Sequence, residues 1–293
     1  MKILLTGMNG FLGKNLTLSF VKNNFKVLSL VRSTKSKPTN IKIITDDIGN
    51  LKKKTINIIK SFQPETVVNL AWHGIPDYSY KNCAKNFLYH VNFLDDIKKI
   101  KSIKKLIMIG SSWEYHQNSG KCMETDKINL STPFSWSKNS IYQYLKKINL
   151  NKKGMKFVWL RVFFMYGKYQ NKHSLLPHII KSLKNYKRPK IHSPNNKNDF
   201  IHVEDVCEAI ILAIKNKKIS GIYNVGNGKL VSNIEIYNKV LHKLKKNNYK
   251  YRISYKKNKH TKENYANTNK IYSILKWKPK IDINQGINKV INQ

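Results

Sequence analysis

Arginine, acidic residues and cysteine are all scarce in this 293-residue chain, and each scarcity excludes something. Three cysteines, Cys83, Cys122 and Cys207, lie far apart with no C-x-x-C pair. An odd, dispersed set argues against a disulfide framework or a zinc site, so we read them as free thiols in a reducing cytosol and expect no metal. No apolar run approaches the ~20 residues of a membrane span. The opening MKILLTG is not followed by a signal-peptide cleavage pattern, so the expected location is cytoplasmic. Asp and Glu number 16 against 55 Lys and Arg, a net charge of +39. Such a balance raises the question of nucleic acid. Only Arg32, Arg161, Arg188 and Arg252 are arginine, however, and nucleic-acid readers lean on the planar guanidinium fork. Lysine here travels with asparagine and isoleucine, as in KKTINIIK, three residues that share A/T-rich codons. The charge is therefore expected to bind polyanions without specificity, and no specific nucleic-acid partner is expected.

What is present is a hydrophobic content of 41%, enough for a real core and too much for a disordered chain. Buried-strand patterns fall at 2–6, 26–31, 41–45, 66–71, 104–112 and 156–163. Helical patterns fall between them, from Phe11 to Val21 and at 50–61, 82–101 and 137–150. Strands alternating with helices of this length predict a parallel sheet covered on both faces. The fold class expected is α/β, a Rossmann-type doubly wound parallel sheet with a smaller C-terminal α/β lobe. Residues 1–167 would form the dinucleotide-binding domain and 168–293 mainly a substrate lobe, with some segments returning to the first. No period of 20–50 residues repeats, which excludes a solenoid. The basic tract 245–264 is read as a strand within solvated loops, because Tyr249, Tyr251, Ile253 and Tyr255 alternate with period two.

Thr6-Gly7-Met8-Asn9-Gly10-Phe11-Leu12-Gly13 lies between the first strand and the first helix. One glycine makes the tight turn, one lets backbone approach a pyrophosphate, and one lets helix and strand pack closely. The helix N-terminus offers unpaired N–H groups to the phosphates. After the second strand, Arg32 stands where NAD-preferring sites usually carry an acid for the ribose. A basic residue there favours the 2′-phosphate of NADP, so NADP is expected over NAD.

The TGxxGFxG form resembles the extended short-chain dehydrogenase/reductase family, most of whose members process nucleotide sugars. Further segments resemble it in order: Asp47-Ile48, Asn69-Leu70-Ala71-Trp72, Gly110-Ser111-Ser112, LRVFFMYG at 160–167, DFIHVEDV at 199–206, Tyr223-Asn224-Val225-Gly226 and Trp277-Lys278-Pro279. LAWHGIPDY with SSWEY is similar to bacterial NDP-4-keto-6-deoxyhexose reductases and epimerases. The resemblance implies a cofactor site of Gly7, Asn9, Gly10, Phe11, Leu12, Gly13, Arg32, Asp47, Ile48, Leu70, Ala71, Trp72, Lys138 and Phe163. It implies substrate contacts from His73, Ser111, Ser112, Phe164 and Asn198. It also implies a nucleotide-sugar substrate in surface polysaccharide synthesis and a homodimer through the helices at 82–101 and 137–150.

Family members pair a serine or threonine with a YxxxK on a helix, because hydride transfer at carbon needs a matched proton on oxygen. Here Ser111 and Lys138 are in place, but Phe134 stands where the tyrosine belongs. The ring is kept and the proton is not. A second YxxxK, Tyr142 to Lys146, lies about 12 Å further along a helix at 1.5 Å per residue, and Tyr142 is read as packing. Replacement proton donors would be a water, His73, Glu114 or Tyr115, while His202 is read as core. Asn198 stands where the family often has an arginine for the diphosphate, with Lys197 beside it as a point charge. Ser112 and Trp113 follow Ser111 where dehydratases carry acids, which disfavours 4,6-dehydration. The two readings carried forward are an active reductase or epimerase and a catalytically weakened binding protein.

Overall fold

The structure, a computed structural model, describes residues 1–34, 41–115, 120–128, 130–148, 154–246, 248 and 263–292. The alternating tract at 249–255 lies outside the described residues. In chain order the first half comprises β1 (Lys2–Thr6), α1 (Phe11–Lys22), β2 (Lys26–Val31), β3 (Ile41–Thr45), α2 (Lys53–Phe62), β4 (Thr66–Asn69), α3 (Tyr80–Ile97), β5 (Lys105–Ser111), β6 (Gly120–Cys122), α4 (Pro133–Lys147) and β7 (Lys156–Val162). There follow β8 (Phe164–Tyr166), α5 (Leu175–Lys184), β9 (Lys197–Asn198), β10 (Phe200–His202), α6 (Val203–Lys215), β11 (Gly221–Val225), β12 (Val231–Ser232), α7 (Asn233–Lys243), β13 (Asn264–Ala266), α8 (Asn269–Leu275) and α9 (Ile283–Ile291).

Seven strands form one parallel sheet in the order β11-β7-β5-β4-β1-β2-β3. The chain winds outward from β1 to β3, then returns to β4 and winds the other way. The reversal leaves a crevice beyond the carboxyl ends of β1 and β4, where open α/β sheets bind ligands. Side chains alternate across β1, so Ile3 and Leu5 pack with Leu16, Phe20, Val206 and Ile210 of α1 and α6 on one face. Leu4 packs on the other face with Ile59, Phe93, Leu94, Ile141 and Leu145 of α2, α3 and α4. A third core joins α5, α7 and α9 through Ile179, Leu183, Ile236, Tyr237, Val240 and Ile287, against Tyr166 and Phe200.

Two buried carboxylates tie the later segments together. Asp199 accepts the backbone N–H groups of Asn227, Gly228 and Ala266 at 2.7–2.9 Å, joining the start of β10 to β13 and the turn after β11. Burial pushes its carboxyl up to about 6, against the pull of those three donors. Asp205 accepts from Lys280 and Ile281, and its carbonyl accepts the Trp277 indole N–H at 3.0 Å. The DFIHVEDV and WKP segments thus hold backbone in place.

One boundary matters for the site. The helix expected at 137–150 begins four residues earlier, at Pro133, with Thr132 as N-cap and a reciprocal Thr132–Ser135 capping box. Threonine followed by proline is the ordinary signature of a helix start. Phe134 therefore sits in the first turn of α4, one turn before Lys138.

Candidate active site

The glycine loop crosses the carboxyl ends of β1 and β4. Gly7 has φ +76°, and a Cβ there would stand 2.7 Å from the Leu70 carbonyl carbon. A Cβ on Gly13 would stand 2.1 Å from the Gly7 carbonyl oxygen, so only glycine lets α1 start this close to the loop. Helix α1 has Gly10 as N-cap, no side-chain cap and no acidic residue in its first turn. Its opening N–H groups are left for an anion. A cavity of about 480 Å³ opens over this loop. It is lined by Gly7, Asn9, Gly10, Arg32, Asp47, Ile48, Leu70, Ala71, Trp72 and His73 from among the expected residues. Met8, Ser33, Asp46, Asn86 and Tyr89 also line it and were not anticipated. A larger groove, about 1150 Å³, runs along α2 and the first residues of β1 and β2, and shares none of these loops.

The cavity wall continues into an aromatic cage. The Phe134 ring lies 5.0 Å from Trp72, 5.1 Å from Tyr78 and 5.6 Å from Trp113, each edge-on. Lys138 is buried, with its ammonium 4.1 Å from the Trp72 ring centre and 5.7 Å from that of Phe134. It donates to the Ile109 carbonyl at 2.8 Å. Burial lowers its pKa to about 8, opposed by the charge of Glu114. Ser111 ends β5 beside this cage, and its hydroxyl accepts the Trp113 N–H at 3.2 Å. Ser112 follows in a single 3-10 turn.

Phe163, Phe164 and Asn198 are among the expected residues outside both the cavity lining and the aromatic cage. Phe163 is buried against Tyr115, Cys122 and Ala266. Phe164 is partly exposed and stacks edge-on against Phe200. Asn198 donates to the Asn233 side chain at 3.3 Å. Phe11 packs against the core and Leu12 is buried in it, so both contribute to the loop only through backbone. Tyr142 packs on Phe157 and Trp159. His202 caps α6 through Nδ1, and burial lowers its pKa to about 4.

Glu114 and Tyr115 are not free proton donors, which corrects the sequence expectation. Glu114 is fully buried in an ion pair with Arg161 at 2.8 Å, and also accepts from the Trp159 indole and the Ser111 N–H. The Tyr115 hydroxyl accepts from Arg161 at 2.7 Å and donates to Asn224 at 2.9 Å. Its pKa is driven far up by burial, against the pull of Arg161. Both belong to a closed polar network spanning β5, β7 and β11.

The residues present fit a dinucleotide: a loop whose carbons leave room for phosphate, an uncapped helix N-terminus, and Arg32 and Asp47 at the far end of the cavity. The Trp72 indole nitrogen at the near end is buried with no hydrogen-bond partner among the described residues. The fold and the loop together define a dinucleotide-binding protein of the Rossmann type. The NAD dependent epimerase/dehydratase family model matches residues 3–226, and the chain belongs to that family. Over 99% of its length it is 26% identical to a putative UDP-glucose 4-epimerase of Methanocaldococcus jannaschii, covering 97% of that protein. It is 24% identical to the dTDP-4-dehydro-6-deoxyglucose reductase of Escherichia coli, over 99% of this chain and 96% of the other. The solved dTDP-glucose 4,6-dehydratase of Bacillus anthracis, in complex with NAD, superposes with a TM-score of 0.84 at 23% identity, covering all of this chain and 96% of that one. Among the described residues no helix is long and apolar enough to cross a membrane, and no cluster of side chains could hold a metal.

Proposed function

We propose that the chain is an NADP-dependent reductase or epimerase acting on a 4-keto-6-deoxy sugar carried on a nucleotide, in surface polysaccharide synthesis. The observation that carries this reading is the continuity of the cofactor cavity, through Trp72, with Lys138, Phe134 and Ser111. When bound, the dinucleotide supplies or accepts hydride. The α1 N-terminus would hold its phosphates, and Arg32, exposed, would meet the 2′-phosphate. Lys138 would hold the nicotinamide end. The Ser111 hydroxyl already accepts from Trp113, so its own proton is free to polarise a substrate carbonyl. Residues 168–293 would supply most of the sugar-nucleotide contacts, with β11 built into the main sheet.

A second reading has its own support. Phe134 carries no proton, and a chain that binds the dinucleotide or sugar nucleotide with little turnover would need none. The test is to incubate the protein with NADPH and a panel of 4-keto-6-deoxy nucleotide sugars, following absorbance and product. Cofactor oxidation with one of them supports the enzyme. Tight NADPH binding with no reaction across the panel supports the binding protein.

A homodimer through α3 and α4 fits the same reading. Tyr80 and Leu88 of α3 are 71% and 57% exposed, and Phe87 of α3 meets Trp136 of α4. Light scattering should give twice the chain mass, and Leu88→Lys should halve it.

A further inference from the structure

We propose that Tyr78, in the loop between β4 and α3, is the proton donor of this site, in place of the hydroxyl that Phe134 lacks. The inference rests on the reading of the site as a dinucleotide-dependent oxidoreductase. Its grounds are geometric. The Tyr78 ring lies 5.1 Å from Phe134 and 5.3 Å from Trp113, so it closes the cage beside the turn that carries Lys138. It is half-buried, and its hydroxyl has no hydrogen-bond partner among the described residues.

The loop that carries Tyr78 is built and pinned. Asn82 of α3 donates to the carbonyls of Asp77 at 2.7 Å and His73 at 2.9 Å. Asn86 accepts the His73 N–H at 2.7 Å and donates to the His73 carbonyl at 3.0 Å. The Asp77 N–H donates to Gly74 at 2.7 Å, the Asp77 carboxylate accepts from Ser79, and Ser79 caps α3. Both ends of the hexapeptide His73–Tyr78 are thus fixed to one helix, which limits where the phenol can stand. Of the alternatives, Glu114 and Tyr115 are locked to Arg161, and His73 has its Nδ1 engaged with Asn82 at 3.3 Å, which leaves Nε2 as its one open nitrogen.

In reduction, the Tyr78 O–H bond would break and its proton would join the substrate oxygen as the carbonyl carbon gains a hydride, which a bound reduced dinucleotide would supply. The phenolate left behind regains a proton from water. Burial raises the phenol above its ordinary value, with Cys83 of α3 adding to the rise. Lys138 of α4 meets the cage at the Trp72 and Phe134 rings. An oxidised nicotinamide held beside the cage would bring a positive charge, and an opposite charge within a few ångströms lowers such a pKa by ~1–3 units.

The deciding experiment uses the full chain labelled with 13C at tyrosine Cζ, with the Tyr78 resonance assigned from Tyr78→Phe, titrated with pH with and without NADP+. The Tyr78 pKa should fall by about one unit or more when NADP+ binds. A resonance that NADP+ leaves unmoved while it binds overturns the proposal. Failure of NADP+ and NAD+ to bind at all overturns instead the cofactor reading beneath it. With a reacting sugar, Tyr78→Phe should lower turnover ~10²–10⁴-fold at unchanged cofactor affinity, the range of a general acid. Phe134→Tyr in that background should restore much of the loss. Unchanged turnover in Tyr78→Phe also overturns the proposal.

Discussion

The ammonium of Lys138 rests 4.1 Å from the centre of the Trp72 indole and donates to the carbonyl of Ile109. A single side chain from α4 thereby joins the last turn of β5 to the loop after β4. The contact is desolvated, which strengthens the attraction of cation for ring and weakens the hold of the proton. Trp72 also lines the cofactor cavity, so Lys138 stands behind the wall of that cavity, across an indole face.

The lowered pKa of Lys138, about 8, gives two effects of opposite sign. On the proposed reading, in which the ammonium holds the nicotinamide end, cofactor affinity should weaken as pH rises past about 8. Fold stability moves the other way. The unfolded chain binds this proton up to about 10.4, so between about 8 and 10.4 it holds more protons than the native state and stability rises with pH. Lys138→Met should flatten both trends. Cofactor titrations and thermal melts of the two proteins from pH 7 to 10 check this, and parallel curves for both would refute it.

The glycines of the loop should separate under mutation. A Cβ on Gly13 meets the backbone oxygen of Gly7 at 2.1 Å, so Gly13→Ala should push α1 off the loop and cost about 1–3 kcal/mol. A Cβ on Gly10 has the Gly7 oxygen at 3.3 Å as its nearest neighbour. Gly10→Val should therefore cost less stability than Gly13→Ala and remove dinucleotide binding, by placing branched carbon where phosphate approaches. Urea denaturation and cofactor titration distinguish the two. Unchanged affinity in Gly10→Val would mean that the loop is not the site.

Local patterns carried the sheet and the loop. Strands 26–31 and 41–45 were legible to the residue because each is a short apolar run bounded by polar residues. Helix α4 was placed four residues late because the apolar periodicity becomes clear only after Lys138, although the Thr132-Pro133 start signal was present. The cage was not legible. Trp72 and Tyr78 come from the loop after β4, Trp113 from the 3-10 turn after β5 and Phe134 from the first turn of α4, and nothing in their spacing brings these three segments together. The same holds for Glu114, which reads as a free acid until β7 places Arg161 beside it.

That buried pair has its own expected cost. Glu114 is fully buried and Arg161 nearly so, with the carboxylate also serving Trp159 and Ser111. Glu114→Ala would strand a guanidinium away from water, so it should destabilise by about 3–5 kcal/mol. Tyr115→Phe removes one acceptor for Arg161 and one donor to Asn224, and should cost about 1–3 kcal/mol. Chemical denaturation checks both. A Tyr115→Phe protein that keeps its fold but loses turnover ~10²-fold or more would return Tyr115 to the list of proton donors.

On the proposed NADP reading, cofactor choice would turn on Arg32 and its acidic neighbours. Both Asp46 oxygens are engaged: one accepts the Asp47 N–H, the other accepts from the Lys52 N–H and the Thr55 hydroxyl. Burial works against ionisation, yet these bonds hold the carboxyl below its ordinary value, so it stays ionised and occupied. Asp47 spends one oxygen on the Gly49 N–H. Arg32 is exposed at the end of β2, and no described ion pair engages it. A 2′-phosphate would therefore find a cation there, and a 2′-hydroxyl would find no carboxylate on β2 to accept it. A charge-assisted hydrogen bond contributes about 1.5–3 kcal/mol, so Arg32→Ala should weaken NADPH binding roughly 10–100-fold and leave NADH nearly unchanged. Arg32→Asp should go further, repelling the phosphate and offering the ribose an acceptor, and so reverse the order of the two affinities. Fluorescence titration of the three proteins with both cofactors decides the matter. A wild-type protein that prefers NADH, with Arg32→Ala unaltered toward either, would place Arg32 on the adenine face alone.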